Sequence, residues 1–422
     1  MNSNHITQTF SKLFPAAGAP FTGALPSSGA LFGDLLEYAN LPQWLVALPW
    51  DTQFAFCAHP GAKVVLRAGA DWDETVLRAA SGGWSPESGV EPVASYWAFL
   101  LDELESQWPP EQRRGFDGLV HFPAEDAATS WPIQSLALVL SALSVAGIGV
   151  DTDISRRKLL QVIEDLGVGM PYWSQSHAAC ALLSEASCLL RAGGRSDQID
   201  MLPMPEEWTI VAVPVRMTPV RKLGQLNECA RFLVEQQVRA EFDPEFELES
   251  MADLWYGALC LRHGEVQEVV RQALAKPPFF QRLLKALDNN ALGLQEEGAR
   301  PLEHLLHYYL NTYRNVELAG DALVAGDHDA LRGLYGENLQ HRATLLEGLN
   351  LACPVNTELW RNLPVLGFSL SGCGAQQWLL GLVETGEEAE VMLHLEKSLT
   401  ERGVLAGAGH AFRPHAAGAY GR

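Results

Sequence analysis

The sequence predicts a mixed α/β protein, of the α+β type, divided into two lobes. Its 422 residues exceed what one hydrophobic core normally organises. The first half alternates short β-type runs with helical ones, whereas the second half is mostly helical with two strands near its end. Hydrophobic residues make up 47% of the chain and charged residues 19%, a globular balance that supplies a large core.

Residues 1–24 are rich in Pro, Gly and Ala and read as a loose arm. Strand-like runs follow at Trp44–Leu48, Gln53–Cys57 and Val64–Leu66, the last after a Pro60-Gly61 turn. Val93–Gln107 has apolar residues at helical spacing and stops before Pro109-Pro110. Gly118–Phe122 is a short β-type run, Trp131–Val145 an apolar helix and Arg156–Leu166 an amphipathic one. His177–Arg191 alternates small and large apolar residues and fits helix or strand. The lobe boundary falls before the β-like run Trp208–Val215, giving lobes over 25–205 and 206–404. Helical patterns then cover Leu223–Ala240, Met251–Ala275, Phe279–Leu287, Leu302–Ala325 and His328–Leu349. Strands at Val365–Leu370 and Trp378–Val383 and a helix at Ala389–Arg402 follow. The Gly/Ala/His-rich tail, 405–422, reads as mobile.

Thirty basic against 51 acidic residues give a net charge of -21, which repels phosphate backbones and anionic membranes. Nucleic acid and membrane are therefore not expected partners. Seven scattered cysteines without C-x-x-C or zinc spacing fit reduced thiols, and no signal peptide is visible, so the expected compartment is cytoplasmic. The longest apolar stretch, Ile133–Val150, is interrupted by Gln134 and several Ser and Gly and reads as a buried helix.

The most informative stretch lies near the carboxyl end. Asn338-Leu339-Gln340-His341 precedes Ala352-Cys353-Pro354 and Glu358-Leu359, and then comes Gly367-Phe368-Ser369-Leu370-Ser371-Gly372-Cys373-Gly374. This resembles the closing region of galactokinase-type members of the GHMP kinase superfamily: an N-x-S-H helix, S-C-P-E, and a strand entering a T/S-G-G-G turn. The resemblance implies a two-lobe fold with a ligand cleft between the lobes.

Three further family landmarks occur in altered form. The opening motif, P-G-R-x-x-x-x-G-E-H-x-D-Y, resembles Pro26-Ser27-Ser28 running to Gly33-Asp34-Leu35-Leu36-Glu37-Tyr38, followed by Val46-Ala47-Leu48-Pro49. The resemblance places Ser28 where the family has the Arg that stabilises the transferred phosphoryl group. Glu37 stands for the acidic residue that grips sugar hydroxyls, and Tyr38 is retained. Alternatively, Leu35, Leu36 and Tyr38 are simply core residues. The phosphate loop, P-x-G-x-G-L-S-S-S-A, is matched by Pro123-Ala124-Glu125-Asp126-Ala127-Ala128-Thr129-Ser130. A Gly-rich loop at a helix start cradles phosphate with its amides. Here both glycines are gone, and the carboxylates of Glu125 and Asp126 stand where phosphate should lie. One like-charge pair at about 4 Å costs on the order of 4 kcal/mol near a surface. Thr129 and Ser130 keep hydroxyls, but as helix caps they need no ligand.

The block E-N-x-x-V-G-x-P-C-G-x-M-D-Q lines up without gaps with Glu164–His177. Glu164, Val168, Gly169 and Pro171 agree. Ser176 takes the position of the family's catalytic Asp and His177 that of the following Gln. A serine cannot act as the base; an unperturbed histidine has a suitable pKa, although a lone histidine is more often structural. The alterations fall on groups that handle charge, while backbone-shaping Gly169, Pro171, Pro49 and Gly374 remain.

Other signals are weaker. Trp97, Trp108, Trp131, Trp173, Trp208 and Trp255 would suit sugar stacking but more often fill cores. Asp71, Asp73 and Glu74 read as a solvated loop or helix start, a poor metal site. No metal is expected. The alternating acidic and apolar residues over 242–249 read as an exposed edge strand or a docking segment. Three functions follow. The first is a galactokinase-like protein without standard phosphoryl transfer that binds a sugar-like metabolite or a protein. The second is an active sugar kinase with a remodelled nucleotide site, using His177 or Glu37 as base and Ser130 near the metal; only this reading requires Mg-ATP. The third is a protein-interaction scaffold.

Overall fold

The computed structural model describes residues 3–36, 41–59, 61, 63–68, 73–80, 83–87, 92–106, 114–121, 130–165, 174–193, 199–219, 299–372 and 375–416. The helical patterns expected over 223–287, and the acidic alternation over 242–249, lie outside them. The chain divides into two compact units. The first comprises Met1–Gly29, Leu45–Met204 and Phe412–Arg422; the second comprises Ala30–Trp44 and Pro205–Ala411. The chain thus changes unit near residue 205, and it also lends Ala30–Trp44 to the second unit and returns its end to the first.

The first unit contains α1 (Ser3–Leu13), β1 (Phe21–Phe32), β2 (Gln43–His59), β3 (Lys63–Ala68), β4 (Asp73–Ala80), β5 (Gly83–Pro86), α2 (Pro92–Ser106), β6 (Gly115–His121), α3 (Ser130–Val145), α4 (Asp153–Asp165), α5 (Gln175–Leu183), β7 (Cys188–Ala192) and β8 (Ile199–Pro203), with β1 and β2 each reaching a few residues into the second unit. Its sheet runs β5-β4-β3-β6-β2-β7-β8, with β1 also paired to β2. Most neighbours are antiparallel, but β3 and β6 are parallel. The two short runs expected before residue 58 form one strand, β2. It passes through Pro49, which removes a ladder donor without opposing the extended backbone.

The expected loose arm is instead structured. Helix α1 places Ile6 and Phe10 on one face, and with Phe14 they pack against Ala55, Val65 and Leu119 of the sheet. Full burial of an Ile or Phe contributes about 1.5–3 kcal/mol per side chain, enough to hold a short helix that would be marginal alone. Glycine and proline content hid this spacing. Residues 21–32 likewise form β1, which runs through Pro26 and its neighbouring serines and is held by pairing with β2.

The tail is also ordered as far as residue 416, where the described residues end. Strand β12 (His410–Phe412) adds to a sheet, the Ser187 N–H donates to the Pro414 carbonyl at 2.9 Å, and the His415 N–H donates to the Ala47 carbonyl at 3.2 Å. Arg413 also donates to the Met204 carbonyl, so backbone pairing orders a stretch without apolar periodicity. The ambiguous stretch 177–191 is both helix and strand: α5 ends at Leu183 and β7 begins at Cys188. Asp73 and Glu74 open strand β4, and Glu74 accepts two hydrogen bonds from Arg67 across to β3.

The second unit carries β9 (Trp208–Arg216), α6 (Ala299–Ala325), α7 (His328–Gly348), β10 (Val365–Ser371), β11 (Gln376–Glu384) and α8 (Glu388–Glu401). Its sheet order is β10-β11-β9-β12. Central β9 reads as a nearly continuous apolar run and is buried at every position but the last, as a strand covered on both faces should be. Helices α6 and α7 form a hairpin, with Asp327 capping α7 through the Ala330 N–H at 3.0 Å. Tyr335 of α7 lies against Phe32, ring centroids 4.2 Å apart. Among the described residues no helix is long and apolar enough to cross a membrane.

Candidate functional site

In the first unit, Ser28, Ser176 and His177 come together at the amino end of α5. Ser174 has extended backbone and caps the helix, its hydroxyl accepting the His177 N–H at 3.4 Å. The Ser176 and Ser174 hydroxyls are 3.1 Å apart, and the Gln175 amide donates to the Leu160 carbonyl of α4 at 2.8 Å. Every residue of α5 is buried; its alanines permit close packing within the unit. From β1, the Ser28 hydroxyl reaches His177 Nδ1 at 2.6 Å. Ser28 is 1% and His177 7% exposed. Burial pushes the His177 pKa down to about 4, so the imidazole is neutral at physiological pH. The pair exchanges a hydrogen bond but holds no charge.

The second unit holds a charged cluster. Arg342 Nη1 lies 3.1 Å from Asp34 Oδ2, a charge contact between buried side chains. The Gly372 N–H donates to Asp34 Oδ1 at 2.8 Å, and Arg342 Nη2 donates to the Gly372 carbonyl at 2.8 Å. Arg342 Nη2 also points to Gln377 Oε1 at 3.4 Å. The Tyr308 hydroxyl donates to the Asp34 carbonyl. Burial raises the Asp34 carboxyl above its usual range, against the lowering pull of Arg342 and of the Gly372 and Leu35 amides. Nearby, the Cys353 thiol faces the Val355 carbonyl at 3.3 Å and burial raises its pKa, which makes it a poor nucleophile.

The chain resembles Lactococcus lactis galactokinase, solved in complex with galactose, at a TM-score of 0.67 and 14% identity, covering 99% of each chain. The chain has the GHMP kinase fold. The Lin0012 protein from Listeria innocua matches at a TM-score of 0.52 and 10% identity over 93% of this chain and 98% of that one. Methanococcus jannaschii mevalonate kinase matches at 0.47 and 12% identity over 94% and 99%. No family model matches the sequence, and no curated protein matches it in sequence.

On this GHMP kinase fold, the candidates separate into three groups. Ser28, Ser176 and His177 belong to one buried neighbourhood, with Ser28 bonded directly to His177 and Ser176 linked to the capping Ser174. Gly372 belongs to the Asp34–Arg342 cluster, and Ser130 opens α3. Glu37, Tyr38, Glu125, Asp126, Thr129 and Gly374 lie outside the described residues. Of the tryptophans, Trp97 and Trp208 are core residues at 1% and 4% exposure, and Trp97 donates to Ser135.

Sequence reasoning gave Asp34 no role and missed Arg342. A signal for Arg342 was present. Leu331, Tyr335, Asn338, Arg342 and Leu345 fall on one helical stripe, and all are buried. A cation on an apolar stripe requires a buried counter-charge, and the acidic residue between Gly33 and Leu35 supplies it.

Proposed function

We propose that this is a galactokinase-like protein of the GHMP kinase fold that has lost standard ATP-dependent phosphoryl transfer and binds a neutral, sugar-like small molecule. The supporting observation is the buried Ser28–His177 pair. The sequence resemblance puts these residues at the positions of the phosphoryl-stabilising Arg and of the neighbour to the catalytic Asp. Phosphoryl transfer depends on fixed positive charge and a competent base. Here a hydroxyl and a neutral imidazole satisfy each other instead.

The residues also fit Mg-ATP poorly. Both glycines of the phosphate loop are gone in sequence, where Glu125 and Asp126 bring two carboxylates, and the Gly372 amide is donated to a carboxylate. No step is therefore assigned through the nucleotide. The remodelled-kinase reading draws on the likeness to a galactokinase along 99% of the chain. It loses His177 as base, because an imidazole with a pKa near 4 is a weak proton acceptor at neutral pH. Glu37 remains its candidate. The acidity of the chain, and the free thiols of Cys57, Cys180, Cys188 and Cys353 among the described residues, agree with a cytoplasmic protein without a nucleic-acid partner.

Titration calorimetry with Mg-ATP, alongside a thermal-shift series of monosaccharides and sugar phosphates, tests this reading. The expected result is no ATP binding at millimolar concentration and stabilisation by a monosaccharide. Micromolar ATP affinity would put the remodelled kinase first. No response to any sugar would favour a protein-interaction scaffold.

A further inference from the structure

We propose that the Asp34–Arg342 pair is an internal latch that closes the Gly372 backbone to anions, the Asp34 carboxylate filling the place of a ligand's phosphate or carboxylate. The inference needs only the second unit and is independent of the function proposed above. An arginine guanidinium and a backbone N–H converging on one carboxylate are the donor set with which proteins capture oxyanions. Here both oxygens of the captured carboxylate belong to the chain: Oδ1 takes the Gly372 N–H at 2.8 Å, and Oδ2 faces Arg342 at 3.1 Å. The same arginine donates to the Gly372 carbonyl, so the two members of the pair bind both backbone polar groups of one residue.

The surroundings hold this arrangement in place. Gly372 has φ of 104°, a conformation that suits glycine, and it is half-buried while both charged partners are buried. Leu35, directly after Asp34, is fully buried with φ of 68°, an uncommon conformation for a bulky residue. Strain of this kind persists where neighbouring contacts over-determine the backbone. The contact that fixes Asp34 on the other side is the Tyr308 hydroxyl on its carbonyl. Removing the Asp34 carboxylate leaves the guanidinium and the amide facing a position suited to a small oxyanion.

Inorganic phosphate is the probe, with the full chain as wild type, Asp34→Ala, and Asp34→Ala combined with Arg342→Met. Amide exchange at Gly372 and the phosphate dependence of Tm are the readouts. In the wild type, the Gly372 amide is protected and phosphate leaves Tm unchanged. In Asp34→Ala, exchange at Gly372 rises by about tenfold or more and phosphate raises Tm saturably; adding Arg342→Met removes the phosphate effect. Should Asp34→Ala fail to fold, Asp34→Asn keeps the shape without the charge, and its Gly372 amide should still exchange faster. Phosphate stabilising wild type and Asp34→Ala equally, or a folded Asp34→Asn with unchanged exchange at Gly372, would overturn the latch.

Discussion

Replacing His177 with Gln should flatten the acid limb of the stability profile. In the folded protein, burial holds the His177 pKa at about 4, against an ordinary 6.5. As pH falls through 6.5 the unfolded chain takes up a proton that the folded chain refuses until about pH 4. Unfolding therefore binds protons in this window, and stability is lost as pH falls. The contribution is complete above the ordinary value and diminishes toward pH 4. At about 1.4 kcal/mol per pH unit, the whole window is worth roughly 3 kcal/mol, and the stretch down to about pH 5 roughly 2 kcal/mol. Glutamine does not titrate, so the variant lacks this slope. It also changes the hydrogen bond to Ser28, which shifts its curve by a constant without tilting it. Burial lowers the pKa values of His121 and His341 as well, and these titrate in both proteins. The difference between the two profiles thus isolates His177. Urea unfolding from about pH 7.5 to about pH 5 should show the curves converging by roughly 2 kcal/mol as the wild type loses its advantage. Parallel curves would mean that His177 titrates normally in the folded state, and the neutral Ser28–His177 pair would have to be abandoned.

Two packing predictions accompany it. Phe10→Ala removes a fully buried ring from the cluster that fixes α1 and should cost about 3–5 kcal/mol in urea unfolding; a loss below about 1 kcal/mol would restore the loose-arm reading. Gly115→Ala would drive a Cβ into the Lys63 carbonyl oxygen, where β6 runs beside β3. Backbone cannot yield far enough without breaking the pairing, so the variant should lose soluble yield and the wild-type circular dichroism spectrum.

Much of the fold was legible because its signals were periodic. Helices α2, α3, α4, α6 and α7 and strands β9, β10 and β11 lie within a few residues of their expected places, since each carries an apolar face or run. The misses have other causes. α1 carries an apolar face but is short and sits beside a Pro/Gly-rich stretch that hid it, and β12 is ordered by backbone partners contributed from distant sequence. No local pattern reveals that Ala30–Trp44 joins the second unit. That placement is paid for by long-range contacts, such as the Trp44 indole donating to the Val316 carbonyl at 3.0 Å.

The candidate residues divide along the same line. Ser28, Ser176 and His177 were singled out by the order of the motifs and lie in one buried neighbourhood, but their chemistry depends on burial. A histidine beside serines reads as a possible base, and only its enclosure between β1 and the start of α5 makes it a neutral hydrogen-bonding group. Arg342 is the reverse case: its position carried no motif, yet its place on a buried stripe dictated the need for a partner. The two clusters therefore treat charge in opposite ways. Around His177 the fold discards it, whereas around Arg342 it retains a cation and supplies an anion from its own chain. A buried pair of opposite charges contributes little net stability compared with apolar packing of the same volume, so stability alone does not account for the second arrangement. The pair's hold on both backbone polar groups of Gly372 is the physical reason to assign it a role at that residue.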